Sequence, residues 1–265
     1  MGVRMADLLG GTRDALRYEP TEKRLRVYLA GELIAQTGAG RLVWEPGRVV
    51  PTYAVPESDV VARLEPAGVV ADPGGKPPRY PTAAAAAHAC AGEVLDVIAG
   101  SGARRTAAAF RPADPDLAGY VVLDFGAFDW REEDEPIIAH PHDPFTRIDI
   151  LASSRHVRIE LDGRLLAESS RPLLLFETLL PVRFYLPRSD VVVHLEPSDT
   201  VTYCAYKGRA SYFSVPDGPS DVAWTYHEPL HDAEPVRDRI AFFDERVDVI
   251  VDGERRQRPV TAWSG

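Results

Sequence analysis

Apolar and polar residues alternate over short stretches of this chain, and turns that contain glycine separate the stretches. Over residues 157–161, for example, Val157, Ile159 and Leu161 alternate with charged residues, and Asp162-Gly163 follows. Alternation buries one face of a strand, and glycine supplies the positive φ angle of a two-residue hairpin turn. The pattern therefore predicts short antiparallel strands joined by hairpins.

Two parts of the chain carry this pattern with closely similar residues. The segment RLRVYLAGELIA, residues 24–35, aligns without a gap with HVRIELDGRLLA, residues 156–167. Further along, PESDVVARLEP, residues 56–66, aligns with PRSDVVVHLEP, residues 187–197, after one extra residue in the first copy. A match of this length indicates a duplicated unit.

The duplication predicts a mainly β protein with two tandem, small, antiparallel β domains over residues 21–150 and 151–265. An N-terminal helix or arm is predicted over residues 1–20. The first domain has one exception, because TAAAAAHACAGEVLDVIAG, residues 82–100, follows a proline, ends at a glycine and is rich in alanine, which favours helix. Nothing in the second copy matches that stretch. We therefore predict a helical insertion over residues 82–100.

Charge and cysteine content restrict the partners and the cellular compartment that we expect for this protein. A net charge of -10 argues against nucleic acid or an anionic membrane as the main partner, because both would repel this surface. Cys90 and Cys204 stand far apart, so no disulfide framework or CxxC motif is present, and a reducing cytoplasm is expected. No uninterrupted apolar run approaches the roughly eighteen residues of a membrane span.

Metal and cofactor motifs are weak in this sequence. The pairs His140/His142 and His227/His231 lack the carboxylate or thiol spacing that would complete a zinc site. Neither GxxxxGK[ST] nor GxGxxG occurs, so the usual phosphate-binding loop of nucleotide sites is missing. We predict no metal and no cofactor.

Several segments of the second copy together resemble the DUF427 domain, a family also catalogued under a nucleotidyltransferase-like name. The resemblance spans about residues 155–253, and residues 24–161 look like a second, divergent copy. It implies a compact β fold akin to the β-tent group, and it implies no defined reaction. The segments that carry it are RHVRIELDGRLLAESSRPLLLFET, RFYLPRSDV, LEPSDT, YCAYKGRASYFSV, AWTYHEP and IAFFDERVDV.

The segment YCAYKGRASYFSV holds the family's motif of Cys, Tyr-Lys-Gly and Ser-Tyr. Here these residues are Cys204, Tyr206, Lys207, Ser211 and Tyr212, and Ala205 stands where the motif has proline. A lysine buried among aromatic rings can have a lowered pKa and act as a base or nucleophile, and a nearby cation can make a cysteine a thiolate. The alternative is structural, with Lys207 paired to Glu177 and Cys204 filling core.

Glu177 ends an apolar run, where a carboxylate is costly unless it has a partner. Its candidate partners are Arg183, Tyr185 and Lys207. Trp224 and Tyr226 alternate like strand residues and could wall a pocket, or could simply be core, and Trp130 is the expected counterpart in the first copy. The first copy retains the residues Glu45, Tyr53 and Asp59, which predicts a structural role for that trio.

Because the first copy has no Tyr-Lys-Gly segment, we expect the site to lie in the second. One hypothesis is an enzyme that acts on a small polar or anionic molecule; the alternatives are a non-catalytic binding or interaction module and, third, nucleotidyl transfer. The predicted catalytic residues are Lys207, Glu177 and Cys204. The predicted binding residues are Arg183, Tyr185, Tyr206, Ser211, Tyr212, Trp224 and Tyr226.

Overall fold

Short strands in antiparallel pairs make up most of this protein, as the alternating pattern predicts. The structure is a computed structural model that describes residues 2–70, 88–261 and 263–264. Within these residues every pair of neighbouring strands is antiparallel, which confirms the predicted fold class as mainly β. The chain divides into two units, Met1–Asp143 (unit 1) and Pro144–Gly265 (unit 2).

In unit 1, one α-helix precedes a series of strands. The helix is α1 (Met5–Gly11), and short 3-10 turns cover Glu57–Asp59, Pro115–Leu117 and Phe125–Ala127. The strands are β1 (Arg17–Pro20), β2 (Leu25–Leu29), β3 (Glu32–Thr37), β4 (Arg41–Trp44), β5 (Thr52–Pro56), β6 (Arg63–Val70), β7 (Gly92–Ile98), β8 (Arg104–Pro112), β9 (Tyr120–Leu123), β10 (Asp129–Glu132) and β11 (Glu135–Ile137). They form a seven-stranded sheet in the order β1-β4-β5-β9-β8-β7-β6 and a four-stranded sheet in the order β11-β10-β2-β3.

Unit 2 is built in a similar way, with 3-10 turns at Arg188–Asp190 and His231–Val236. Its strands are β12 (Ile148–Ala152), β13 (Val157–Leu161), β14 (Arg164–Ser169), β15 (Leu173–Glu177), β16 (Arg183–Tyr185), β17 (Glu196–Cys204), β18 (Gly208–Ser214), β19 (Ala223–Thr225), β20 (Ala241–Phe242), β21 (Asp248–Val251) and β22 (Glu254–Arg255). One sheet has the order β14-β13-β21-β22. A bridge between Leu186 and Ile240 joins the other strands into the run β12-β15-β16-β20-β19-β18-β17.

Strand order is the same in the two units. Each strand of unit 2 occupies the place of the strand with the same rank in unit 1, so that β12 stands where β1 stands and β21 stands where β10 stands. The hairpins aligned by sequence, β2–β3 and β13–β14, also have the same register shift in their second half. This shared order is what a duplicated unit would produce.

Strand alternation gives the larger sheet of each unit two buried faces. In unit 2, Leu174 and Phe184 pack in the core between the sheets, while the neighbouring residues Leu175 and Tyr185 pack in a separate cluster. We call the side of the larger sheet that carries this second cluster its outer face. In unit 2 the outer face also carries Ala233 and Val236 of the last 3-10 turn.

The predicted helix over residues 82–100 is wrong in its second half. Gly92–Ile98 is strand β7, paired with β6 and β8, while residues 82–87 lie outside the described residues. The strand contains the buried run Val94 to Ile98, whose valines and isoleucine favour a pleated, fully buried strand. The predicted N-terminal arm also ends in the sheet, because Arg17–Pro20 pairs with β4.

No helix within the described part of the chain is both long and apolar enough to cross a membrane.

Candidate functional site

The predicted site residues of β15 and β16 lie on the outer face of the unit 2 sheet. Leu175 is paired with Arg183 and Leu173 with Tyr185, so these side chains share one face with Glu177. Leu174 and Phe176 point to the opposite side. Alternation therefore places Glu177, Arg183 and Tyr185 on one face of the sheet.

A tight hairpin brings Lys207 to the same face. Strands β17 and β18 are joined by the three residues 205–207, with Cys204 paired to Gly208. Gly208 has a φ angle of 92°, and a Cβ there would lie 3.2 Å from the carbonyl oxygen of Glu228. Both features require glycine, as in hairpin loops of three residues with glycine in the left-handed region. The glycine of the motif is thus explained by the turn that buries Lys207.

Lys207 forms an ion pair with Glu177. Its Nζ donates to Glu177 Oε2 at 2.5 Å, and the two side chains are 10% and 14% exposed. Burial alone would lower the pKa of Lys207, but the charge of Glu177 and the nearby Cys204 and Tyr185 outweigh it and raise the pKa above its ordinary value. The hypothesis of a lysine with a lowered pKa is therefore wrong, and Lys207 is a permanent cation.

Arg183 pairs with carboxylates other than Glu177. Its guanidinium donates to both carboxylate oxygens of Glu245, at 2.8 and 2.7 Å, and lies 3.6 Å from Asp244. The same guanidinium lies over the rings of Trp224 and Phe243, at 5.7 and 5.8 Å from their centroids. Such a bidentate pair, backed by aromatic rings, holds the arginine in a single geometry.

Asp244 and Glu245 were missed by the sequence reasoning, although the pattern offered a signal. They follow the apolar run Ile240–Phe243, where two adjacent carboxylates are costly without a cation. Burial raises the pKa of Asp244 to about 6, with Glu245 adding to the shift and Arg183 opposing it. Burial also acts on Glu245, but hydrogen bonds from Arg183 and Thr261 lower its pKa.

Tyr185 and Trp224 link the two ion pairs. Trp224 Nε1 donates to the Tyr185 hydroxyl at 3.1 Å, and the two rings meet edge to face at 6.2 Å. Complete burial raises the pKa of Tyr185 to about 12, against the opposing charge of Lys207. We define the charged cluster as the Tyr185–Trp224 contact together with the ion pairs of Lys207 and Arg183. Its members are Glu177, Arg183, Tyr185, Lys207, Trp224, Asp244 and Glu245.

The remaining predicted residues do not all lie on this face. Tyr212 and Tyr226 pack in the outer-face cluster, whereas Ser211 lies on the other side of β18, as Phe213 does. Tyr206 and Tyr226 are buried, and burial raises the pKa of Tyr226. Cys204 is half-buried at the end of β17. The Tyr212 hydroxyl lies 2.8 Å from Thr202 Oγ1, and Ser211 is paired with Thr225 across the strands.

The histidines named in the sequence analysis bond to nearby acceptors. His142 Nδ1 lies 3.1 Å from Glu132, and His227 Nδ1 lies 2.7 Å from Asp238. Across residues 2–70, 88–261 and 263–264, no group of three or more His, Cys, Asp or Glu side chains is placed to hold a metal ion.

Comparison with known families identifies the segment that contains the charged cluster. Residues 149–253 match the family model of a domain of unknown function, DUF427. This segment is a DUF427 domain. The match covers strands β12 to β21 and all seven members of the charged cluster. No curated protein matches the chain.

Unit 1 carries a different set of partners at the place of the DUF427 carboxylate. Glu45, which aligns with Glu177, is 1% exposed and receives His88 Nδ1 at 2.9 Å and the Ala89 N–H at 2.7 Å. Arg48 Nε lies 3.6 Å from the same carboxylate. Despite burial, which acts to raise it, the pKa of Glu45 is lowered by these contacts.

Unit 1 also has an aspartate near this carboxylate, but at a different strand position. Phe243 separates Asp244 from the end of β20, whereas Asp124 directly follows β9. Burial raises its pKa, while the charges of His88 and Arg48 oppose the shift. The nearby Cys90 has its pKa raised to about 12 by burial and by Glu45, so its thiol is not a nucleophile at neutral pH. Unit 1 thus has charged residues on the matching face that the sequence analysis did not single out.

The other residues that were matched between the two copies by sequence also differ in their surroundings. Tyr53 donates to Glu132 Oε1 at 2.7 Å. It occupies the place of Phe184 and not that of Tyr185, because Leu42 pairs with Tyr53 as Leu174 pairs with Phe184. Asp190 instead binds Ser169 and Arg171 at the turn after β16. Trp130 is not the counterpart of Trp224, because β10 occupies the place of β21 and pairs with β2. The prediction failed because the spacing between the strands differs in this part of the two units.

Proposed function

We propose that the DUF427 domain of this chain binds a small polar or anionic molecule at the charged cluster. Lys207 supplies a permanent positive charge, and about a tenth of its side chain is exposed beside an equally accessible Glu177. Three rings, Tyr185, Trp224 and Phe243, surround the cations and lower the local polarity. Cations held in an apolar setting interact strongly with an anion.

The observation that carries this proposal is the raised pKa of Asp244. A carboxyl whose pKa is about 6 in the folded protein, against an ordinary 3.8, makes the fold less stable when it is ionised. Glu245 already satisfies Arg183 with two hydrogen bonds, so Asp244 is not needed as its counterion. Ionisable groups that lower the stability of the fold and lie beside opposite charges are typical of functional sites.

The permanent charge of Lys207 favours binding over nucleophilic chemistry. A lysine acts as a base or forms a Schiff base only when its amine is neutral, which the raised pKa opposes. Its role in this proposal is to hold a negatively charged or strongly polar group of the ligand in competition with Glu177.

Acid–base catalysis is the second candidate, and Asp244 is again the observation that favours it. A group with a pKa of about 6 exchanges its proton readily near neutral pH, as general acids and bases do. In that case Asp244 is the catalytic residue and Lys207 and Arg183 bind the substrate.

We also propose that unit 1 is a divergent copy of the DUF427 domain. The aligned residues, the shared strand order and the matching positions of Glu45 and Glu177 support this proposal. Its cluster uses His88 and Arg48 in place of Lys207, so the two copies would differ in ligand.

A thermal-shift screen of the full chain tests the binding proposal. The probes are inorganic phosphate, citrate, amino acids and nucleoside monophosphates, applied to the wild-type protein and to Lys207→Met and Asp244→Asn variants. A true anionic ligand stabilises the wild type by mass action, stabilises Lys207→Met less, and stabilises Asp244→Asn at least as well, because an anion favours the neutral form of Asp244. Arg171→Gln, at an exposed pair of the same domain, is the matched control and should respond like the wild type.

Two results would count against the proposal. One is a screen in which no probe shifts the wild type. The other is a ligand whose stabilisation is unchanged in both cluster variants, because that ligand must bind elsewhere. Mass spectrometry of each hit after incubation separates the two candidates, since a catalyst produces a new mass and a binding domain returns the ligand unchanged.

A further inference from the structure

A second concave surface lies on the other side of β15 and β16 from the charged cluster. It is an open groove of about 760 Å³ in the DUF427 domain. Its floor is apolar and consists of Leu174, Phe176, Val182 and Phe184. We call it the arginine groove, because Arg155, Arg255 and Arg256 stand along its rim.

The strand pattern explains why the groove exists. Leu174 and Phe184 are a cross-strand pair on the side of the sheet that faces the core, and the chain after β21 runs along their edge. Phe176 lies one step further along β15, where the core ends, and it remains 39% exposed. An aromatic ring at the mouth of a core is a place where an apolar ligand can be partly buried.

Basic side chains meet the apolar floor at the rim of the groove, in a protein whose net charge is -10. Arg255 is paired with Asp248 and Glu160, and Arg155 and Arg256 stand near two acids, Asp252 and Glu254. The carboxylate of Asp252 already accepts the N–H of His156. The guanidinium of Arg256 lies 5.2 Å from the centroid of the Phe184 ring, so one cation sits directly on the apolar floor.

The same strand face is closed in unit 1. The residues at the same strand positions, Leu42, Trp44 and Tyr53, are 2%, 6% and 0% exposed. The larger Trp44 stands where the DUF427 domain has Phe176, and it packs in the core with Trp130. An open mouth is therefore specific to the DUF427 domain and is not a general property of this sheet.

We propose that the arginine groove binds a small amphipathic anion, with an apolar body on Phe176 and Phe184 and a carboxylate or phosphate at Arg155 and Arg256. The volume lies within the range of about 300–1,000 Å³ that is typical of small-molecule sites. An arginine that rests on an aromatic ring is well placed to bind an anionic head beside an apolar chain. The inference does not depend on the proposed function of the charged cluster, although Arg256 lies close enough to Asp244 to oppose the rise in the pKa of that carboxyl.

A series of decyl compounds that differ only in the head group tests this proposal. The probes are decanoate, decyl phosphate, decanol and decyltrimethylammonium, each titrated into the full chain below its micelle concentration by calorimetry. We expect both anions to bind more tightly than decanol, and the cation to bind least. Saturation by decyl phosphate but not by inorganic phosphate would show that the apolar chain is required.

Two exposed positions serve for variants that should fold normally. Phe176→Ser should weaken all four probes, because it removes the floor of the groove. Arg155→Gln should weaken only the anions, by about fivefold, as expected for one exposed ion pair. Arg164→Gln, an exposed arginine on β14 outside the groove, is the control for the change in charge.

Equal affinity for anionic, neutral and cationic probes would overturn the proposal. The proposal would also fail if Arg155→Gln and Arg164→Gln weakened the binding of the anions equally. The net charge of the protein, and not the groove, would then explain the preference for anions. The protein could instead bind none of the probes and form a dimer that Phe176→Ser dissociates. That result would overturn the proposal and show that this face serves self-association.

Discussion

Two glutamates at matching places in the two units are held by different numbers of donors. Glu45 lies against His88, the N–H of Ala89 and Arg48, whereas Glu177 is paired with Lys207. Several contacts together lower the pKa of Glu45, while Lys207, whose pKa is raised, supplies one ammonium to Glu177. The same strand position therefore supports a shared set of contacts in unit 1 and a single ion pair in the DUF427 domain.

Removal of either glutamate tests this contrast and gives the largest expected effect. Glu177→Leu leaves a nearly buried ammonium without its carboxylate, and we expect a loss of about 3 kcal/mol in the free energy of unfolding. Glu45→Leu should cost less, about 1–2 kcal/mol, because Asp124 remains close to both His88 and Arg48 when Glu45 is gone. Hydrogen exchange read by mass spectrometry reports the two units separately.

The double variant Glu177→Leu/Lys207→Met is the control, and it should recover most of the loss because no unpaired charge remains. Equal losses for Glu45→Leu and Glu177→Leu, or no recovery in the double variant, would break the contrast between the two units.

The second expected effect concerns Asp244 and depends on pH. Because its pKa is raised, the folded protein binds this proton more tightly than the unfolded chain does, so ionisation costs stability. The cost is complete above about pH 6 and disappears as the pH falls towards 3.8. Asp244→Asn should therefore stabilise the DUF427 domain by about 2 kcal/mol at about pH 7.5 and have little effect near pH 4.

Chemical unfolding of the wild type and of Asp244→Asn across this pH range measures the difference between their free energies of unfolding. Asp124→Asn in unit 1 should show the same sign, since the pKa of Asp124 is also raised. A variant that is less stable than the wild type at neutral pH would mean that Arg183 needs both carboxylates.

The third effect compares two buried tyrosines whose hydroxyls have different partners. Tyr53→Phe removes a donor to Glu132, whose pKa is lowered to about 2 although burial acts to raise it, because His142, Lys23 and Tyr53 donate to it. We expect a loss of about 2 kcal/mol at neutral pH that shrinks as the pH falls below about 4.5, because without this hydrogen bond the pKa of Glu132 lies closer to its unfolded value. Tyr185→Phe leaves Trp224 Nε1 without its acceptor and should cost about 1 kcal/mol, with no change in acid sensitivity.

Acid titration followed by tryptophan fluorescence distinguishes the two variants. If Tyr185→Phe shifted the acid transition as much as Tyr53→Phe does, the two hydroxyls would play the same role despite their different partners.

The smallest effect is expected at the exposed pair of Arg171 and Asp190. Arg171 is 67% exposed in its side chain, so Arg171→Gln should change the stability of the DUF427 domain only slightly. Thermal unfolding of the variant at low and high salt measures this directly. A loss as large as that of Glu177→Leu would mean that exposure is a poor guide to the value of ion pairs in this fold.

The parts of this fold that sequence patterns predict are the local ones. Alternation and turn glycines indicate the hairpins, and the position of Glu177 at the end of an apolar run calls for a cation nearby. The partner of Arg183 could not be found in this way, because the bridge between Leu186 and Ile240 brings Glu245 to it from a distant part of the chain. The failed helix had a similar cause, since its alanines dominated a window whose later residues form a buried strand.

Proton exchange on ligand binding tests the central claim most directly. The best ligand from the screen is titrated calorimetrically at about pH 6, in two buffers with different ionisation enthalpies, into the wild type and into Asp244→Asn. If an anion binds at the charged cluster, it favours the protonated form of Asp244, so the wild type should take up a fraction of a proton and the variant none. An identical proton balance in the two proteins, or release of a proton by the wild type, would contradict the account.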